Sequence, residues 1–329
     1  MVLTLILLLS IGVSSCKTDL NIDHVDLTVY DIIDQTPKKN VTTTEKITLG
    51  KRLFFDQNLS SNQQVSCATC HLPERAFTDG TRLSPLGVTK KNQTRNAPPL
   101  FNLSYHDSFF WDGGKTTLEN QSFGPLRNLH EMNADIDSVV TYLNKSKQYL
   151  KLFKDAFSSL PSKATLAKAL ASYERSLISF NAKYDQVQKG FDHFNAQEKK
   201  GFILFKKNCQ ACHKPPLFTD LSFHNNGLDS IFGREFDDHK NGRYRITSNE
   251  SDIGKYKTPS LRNLKYTAPY MHDGRFSDLT QVLHNYSSPT ISQTIDSTVS
   301  HGIKFSSIEK IQLLAFLETL NDENFVSKN

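Results

Sequence analysis

The sequence predicts a mostly α-helical chain in two related halves, and three observations predict it. Apolar residues recur at three- and four-residue steps through several stretches, the period of a helix with one buried face, while alternating strand patterns are scarce. Capping signatures stand at helix starts: Thr42-x-x-Glu45, Asn195-x-x-Glu198 and Ser306-x-x-Glu309. A Gly-x-x-Leu-Phe step followed by Cys-x-x-Cys-His occurs twice, at Gly50 to His71 and at Gly201 to His213, and reads as a duplication.

Taken in order, the chain begins with an apolar stretch, Val2 to Val13, that stops at Ser14-Ser15-Cys16. Twelve residues cannot cross a bilayer core, which needs ~20. Residues 1–16 therefore read as an export signal whose Cys16 becomes a lipid-anchored N-terminus in the periplasm, with an uncleaved signal or a plain secretory one cut near Ser15 as the alternatives. Residues 17–41 are polar and read as a tether. The first half, 42–190, opens with a helix bearing Ile47, Gly50, Leu53 and Phe54. Helical patterns follow from Ile136 to Phe157 and from Leu166 to Phe180. The second half, 191–329, repeats the opening with Gly201, Leu204 and Phe205. It then has an amphipathic segment from Asp278 to Tyr286 and closes on a helix with Ile308, Ile311, Leu314 and Leu317. The 329 residues suffice for two cores. The net charge of +5 is spread without a dense Lys/Arg run, which leaves nucleic acid out as a partner.

Four of the five cysteines lie in Cys67-Ala68-Thr69-Cys70-His71 and Cys209-Gln210-Ala211-Cys212-His213. Two thiols three residues apart reach both vinyl groups of one porphyrin, and the next imidazole meets the iron. Each copy could also be half a zinc site, but no further cysteine completes a tetrad. The pattern thus predicts two covalently bound haem c groups in two cytochrome c-like domains with long loops. The 22 phenylalanines suit the packing of flat, apolar macrocycles.

Further residues carry a resemblance. After His71 come Arg95-Asn96-Ala97-Pro98, Phe110-Trp111-Asp112-Gly113, Gln121, Gly124-Pro125 and Glu131-Met132. The second half has Thr258-Pro259-Ser260-Leu261-Arg262-Asn263 and Pro269-Tyr270-Met271-His272-Asp273-Gly274. From Thr42 onward the chain resembles the bacterial dihaem cytochrome c peroxidases and their MauG-type relatives. The resemblance implies a peroxidatic first haem and an electron-transfer second haem. Trp111, Gln121 and Glu131 keep the family's steps of ten. Cleaving the O–O bond of peroxide needs a group that moves a proton between its oxygens, and a carboxylate over an open iron can do so. Glu131 takes that role, Gln121 orients peroxide or water, and Trp111, the only tryptophan, relays electrons between the haems. His130 is a rival acid/base. Read singly, Glu131 would be a surface carboxylate and Trp111 a core aromatic.

Peroxidase members of the family place a second histidine on the loop after the first haem motif. Here no histidine occurs between His71 and His106, and Gly87 falls at the capping position. An open first iron, as in the MauG branch, is therefore expected. For the second haem the resemblance points to a residue fourteen after His272, which is Tyr286, a known type of haem ligand. Met271 and His284 are rivals, and His284 should point away from the Tyr286 face. The resemblance also implies Ca²⁺ held by the Asn96 side chain and the backbone carbonyls of Thr267 and Pro269. On its own, Asn96 would be an ordinary turn residue.

The activity implied is reduction of hydrogen peroxide by electrons from a small cytochrome c or cupredoxin. Homodimers are common in such families. A MauG-like oxidase that modifies a partner protein is the alternative, and a dihaem electron carrier is the non-enzymatic one. A carrier should close both irons with side chains, which the loop around Gly87 does not favour.

Overall fold

The chain is long in helix and short in strand because its apolar residues fall on helical faces behind good N-caps. The computed structural model describes Leu27, Tyr30 and residues 32–329 apart from 234, 236 and 237. The Cys16 signal lies outside the described residues. The helices are α1 (Thr44–Phe54), α2 (Cys67–Cys70), α3 (Leu118–Gln121), α4 (Phe123–Arg127), α5 (Ile136–Lys145), α6 (Lys147–Phe157), α7 (Lys163–Ser176) and α8 (Lys183–Gln188). They continue as α9 (Ala196–Asn208), α10 (Tyr244–Thr247), α11 (Leu279–Ser287), α12 (Ser307–Glu318) and α13 (Glu323–Lys328). The two-residue strands β1 (Phe223–His224) and β2 (Tyr256–Lys257) pair antiparallel.

Two helix pairs organise two cores. In the first, α1 crosses α7 so closely that a Cβ on Gly50 would stand 2.1 Å from the Ala169 carbonyl oxygen. In the second, α9 crosses α12, and a Cβ on Gly201 would stand 1.9 Å from the Gln312 carbonyl oxygen. The repeated glycine is thus a contact between helix backbones. Around these crossings Leu53, Phe54, Phe77 and Tyr173 fill one core, and Phe205, Phe218, Leu313 and Phe316 the other. Aromatic pairs such as Phe54–Tyr173 at 5.1 Å and Phe205–Phe316 at 5.0 Å each add about 0.5–1.5 kcal/mol beyond area burial.

The loops repeat as well. Asn102 and Asn263 both take left-handed backbone, at φ 58° and 61°, as do Phe110 and Met271, at 68° and 74°. An isolated bridge follows in each half, Phe109 with Lys115 and Tyr270 with Phe276.

Several boundaries differ from those the sequence suggests. The cap of α1 is Thr43, whose side chain accepts from the Lys46 N–H at 3.4 Å, one residue later than expected. The long pattern from Ile136 to Phe157 breaks at Ser146, which ends α5 and caps α6 through the Tyr149 N–H. The expected border near residue 190 is crossed in both directions. Tyr184 packs in the second core, and Phe325 of α13 packs in the first against Phe77 and Phe101. The end of the expected tether is not a solvated strand: Leu27, Tyr30 and Ile32 pack beside Tyr105, Phe180 and Leu217. The Tyr30 hydroxyl also donates to Asp185 at 2.6 Å. Their apolar surface finds a partner there, whereas the polar residues around them dominate the composition.

Candidate active site

The first cysteine motif forms a single helical turn, α2, closed by Ser66, whose N–H donates to the Thr69 hydroxyl at 3.0 Å. His71 follows at its C-terminal end. Ala76 and Phe77 then take left-handed backbone at φ 48° and 62°, which brings the Phe77 carbonyl to 2.7 Å from His71 Nδ1. A carbonyl can only accept, so Nδ1 carries the proton and Nε2 keeps a free lone pair for a metal. Burial also lowers the His71 pKa, which favours the neutral, ligating imidazole.

Beside it lies a cavity of about 510 Å³, with the solvent at its mouth included, lined by Cys67, Cys70, His71, Gln121, Glu131 and Glu174, with apolar walls that include Phe54 and Leu170. Gln121 ends α3, which Thr117 caps. Glu131 sits on a turn whose N–H donates to the Asn128 carbonyl at 3.0 Å. Burial raises its pKa, and a 2.6 Å hydrogen bond from Asn128 Nδ2 opposes that rise. The loop after the haem motif folds directly onto this turn. Val88 donates to the Glu131 carbonyl at 2.8 Å, and a Cβ on Gly87 would stand 1.8 Å from the His130 carbonyl oxygen. No side chain fits at residue 87 in this loop. His130 turns to Thr89, 3.1 Å away, and does not line the cavity.

The second motif closes α9, and His213 repeats the arrangement, with Nδ1 3.2 Å from the Phe218 carbonyl. Its cavity is larger, about 1630 Å³ with the solvent at its mouth included. Cys209, Cys212, His213, Met271 and Tyr286 line it, among apolar residues of α11 and α12. Burial pushes the Tyr286 phenol up to about 12, and a hydrogen bond with Asn226 works against that. His284, on the same helix, is exposed and does not line the cavity. His224 sits between two carboxylates beside Cys212, 2.5 Å from Asp296 and 3.0 Å from Asp220.

Loops of the first half reach the second cavity. Trp111 belongs to the first half by sequence yet lines the second cavity, and its Nε1–H donates to the Asn96 carbonyl at 2.8 Å. The Asn96 backbone N–H donates to His272 at 2.7 Å, and its Nδ2 to the Pro269 carbonyl at 2.7 Å. Asn96 Oδ1 is buried without a partner. Arg95 pairs with Asp112 at 2.8 Å, and Tyr256 stacks on His272 with centroids 3.6 Å apart. In each half, paired thiols, an imidazole with a free nitrogen and an apolar cavity therefore meet, which fits a covalently held haem.

The Di-haem cytochrome c peroxidase family model matches residues 44–193. The Methylamine utilization protein MauG of Methylophilus methylotrophus is 37% identical over 293 residues, covering 87% of this chain and 85% of that protein. The chain belongs to the di-haem cytochrome c peroxidase family. The cytochrome c551 peroxidase of Nitrosomonas europaea is 31% identical over 294 residues, covering 87% and 84% of the two chains. The crystal structure of a MauG-like protein associated with microbial copper homeostasis superposes with a TM-score of 0.82 at 32% identity. It covers 90% of this chain and 96% of that one. Membership implies an oxidoreductase with two haem c cofactors.

Within this family member, Gln121 and Glu131 meet in the His71 cavity, and Tyr286, Met271 and Trp111 meet in the His213 cavity. Asn96, Thr267 and Pro269 also come together along the second cavity. Sequence reasoning missed Glu174, whose carboxyl burial lifts to a pKa of about 8 and whose Oε2 lacks a partner. It also missed Asn128 and Asn226, which touch the predicted residues. One available signal was the Phe-Thr-Asp that follows each haem motif, at Phe77 and at Phe218. It marks the carbonyl that holds each imidazole.

Proposed function

We propose that the chain is an exported peroxidase that reduces hydrogen peroxide to water with electrons from a small cytochrome c or cupredoxin. The observation that carries this reading is the half-buried Glu131 carboxyl lining the His71 cavity, beside Gln121 and under a loop with no side chain at Gly87. Cys67, Cys70 and His71 would hold one haem, and Cys209, Cys212 and His213 the other, with Tyr286 as distal ligand. When bound, the haems supply the electron storage and transfer and the iron that activates peroxide.

The chain's own residues move the protons and set the order. Reducing H–O–O–H to two waters consumes two electrons from the donor and two protons from solvent. Cleaving the O–O bond requires a proton to leave one peroxide oxygen and reach the other. Glu131 accepts it and returns it, and a pKa raised by burial brings carboxylate and acid closer in energy at working pH. Asn128 fixes the carboxylate's direction through its 2.6 Å hydrogen bond. Gln121 can donate and accept, so it orients peroxide or water in the same cavity. Trp111, anchored at Asn96, presents an indole to the second cavity from a first-half loop and suits one-electron relay.

Ca²⁺ between the halves would be held by Asn96 Oδ1 and the Thr267 and Pro269 carbonyls. The unpartnered Oδ1 supports this, although Nδ2 now faces Pro269 and the amide would turn over. Export and lipid anchoring at Cys16 rest on the N-terminal pattern alone. Among the described residues no helix is long and apolar enough to cross a membrane.

Steady-state peroxide reduction with a reduced cytochrome c tests the reading. Glu131→Gln should lower kcat by roughly 10²–10⁴ with both haems retained. Unchanged turnover would remove Glu131 from the chemistry. A second reading, a MauG-like oxidase acting on a partner protein, is favoured by Tyr286 in the second cavity. It predicts a long-lived oxidised protein that a reduced donor does not quench.

A further inference from the structure

Two side chains able to ligate a second haem iron share one cavity with a third that engages one of them. Met271 and Tyr286 line the cavity with His213, and so does Asn226. Asn226 Nδ2 lies 3.5 Å from Met271 Sδ. Its neighbour Asn225 has a different task. Asn225 ties loops together, donating to Ser292 at 3.0 Å and Thr294 at 2.9 Å and accepting from the Gly227 N–H at 3.1 Å. The side-chain amide of Asn226 is directed at the Met271 sulfur instead.

That contact bears directly on ligation. A thioether binds iron through a sulfur lone pair, and an N–H directed at that sulfur competes for it. With that sulfur engaged, the Tyr286 phenol is the ligand-type group left in the same cavity. Met271 is also held at φ 74°, in a turn closed by the Gly274 N–H to its carbonyl at 3.1 Å, so its backbone fixes where the thioether starts.

We propose that Asn226 is the positioning residue that selects Tyr286 over Met271 as the distal ligand of the second haem. The proposal rests on the reading that Tyr286 is that ligand. Methionine ligation raises a haem potential, so the choice sets how readily the second haem is reduced.

The test compares the diferric holoprotein with Y286F, M271L, N226L and N226Q by electron paramagnetic resonance, near-infrared absorption and potentiometry. The reading requires a tyrosinate signature in the wild type that Y286F loses and M271L keeps. The proposal requires N226L to lose that signature, gain a methionine-to-iron band and raise the second-haem potential. The rise should change its ferric-to-ferrous ratio at least tenfold, about 59 mV. The band should vanish in N226L/M271L, and N226Q, which keeps the N–H donor, should restore the wild-type spectrum. Should N226L fail to load haem, N226D removes the donor at nearly constant volume and carries the same expectation. A wild-type spectrum and potential in both donor-less variants overturns the proposal and leaves Tyr286 as ligand. A methionine band already in the wild type and unchanged in Y286F overturns the reading and the proposal with it.

Discussion

His71 and His213 are held by the same device, a Phe carbonyl on Nδ1, at 2.7 Å in one half and 3.2 Å in the other. Gly50 and Gly201 let the same two helices cross, and Tyr173 and Phe316 pack against those glycines from equivalent turns, each with its Cβ 2.8 Å from where a glycine Cβ would stand. The next residue on each helix differs: Glu174 faces the first cavity and Leu317 the second. The polar side chains Gln121 and Glu131 line the first cavity, and Tyr286 and Met271, side chains of types that can ligate iron, line the second. What was duplicated is the cradle; what diverged is the face opposite the histidine. A binding scaffold can thus be copied whole while two or three distal residues divide the labour.

The comparison can be broken first at its least symmetric support. Arg262, fully buried, makes two hydrogen bonds to the fully buried Asp185, at 2.8 and 2.7 Å. The corresponding residue of the first half is Phe101, one before the left-handed Asn102 as Arg262 is one before Asn263. Arg262→Met should cost about 3–5 kcal/mol in denaturant unfolding, because it strands a buried carboxylate. A loss under about 1 kcal/mol would mean the pair is dispensable. A closer test of equivalence is Gly50→Ala against Gly201→Ala. Each drives a methyl into a carbonyl, and each should cost about 1–3 kcal/mol. Equal losses in melting experiments would support two equivalent crossings, whereas a neutral variant in one half would divide them.

The smallest effect sharpens the chemical difference. The Asn128 hydrogen bond favours the charged form of Glu131, while burial raises its pKa. Catalysis that begins with proton acceptance needs the carboxylate, so activity should fall as pH drops through that raised pKa. Asn128→Ala removes the bond, so the acid limb of kcat/KM should move to higher pH. An unmoved limb would assign it to another group.

Much of this division was legible in the sequence. The paired motifs announced both cradles, and the steps from Trp111 to Gln121 to Glu131 marked the residues that the structure brings to the cavities. The rest was hidden for physical reasons. Ser146 breaks a continuous apolar pattern by capping a new helix, and periodicity alone does not distinguish a break from a phase drift. Glu174 reads as one charge in a helix, and only the α1–α7 crossing turns it inward. Asn226 carries no pattern at all, since its role depends on two residues 45 and 60 positions away. Residue 87 was noticed for the missing histidine, but the reason that no side chain fits there is its contact with the His130 carbonyl.

The central claim is that the His71 cavity is open to peroxide in the resting protein because nothing reaches in from the Gly87 loop. Stopped-flow absorbance of the as-isolated diferric protein mixed with peroxide tests it most directly. The account predicts an immediate reaction without prior reduction of the second haem. A reaction only after such reduction, with a low-spin bis-histidine spectrum at the first haem beforehand, would contradict it.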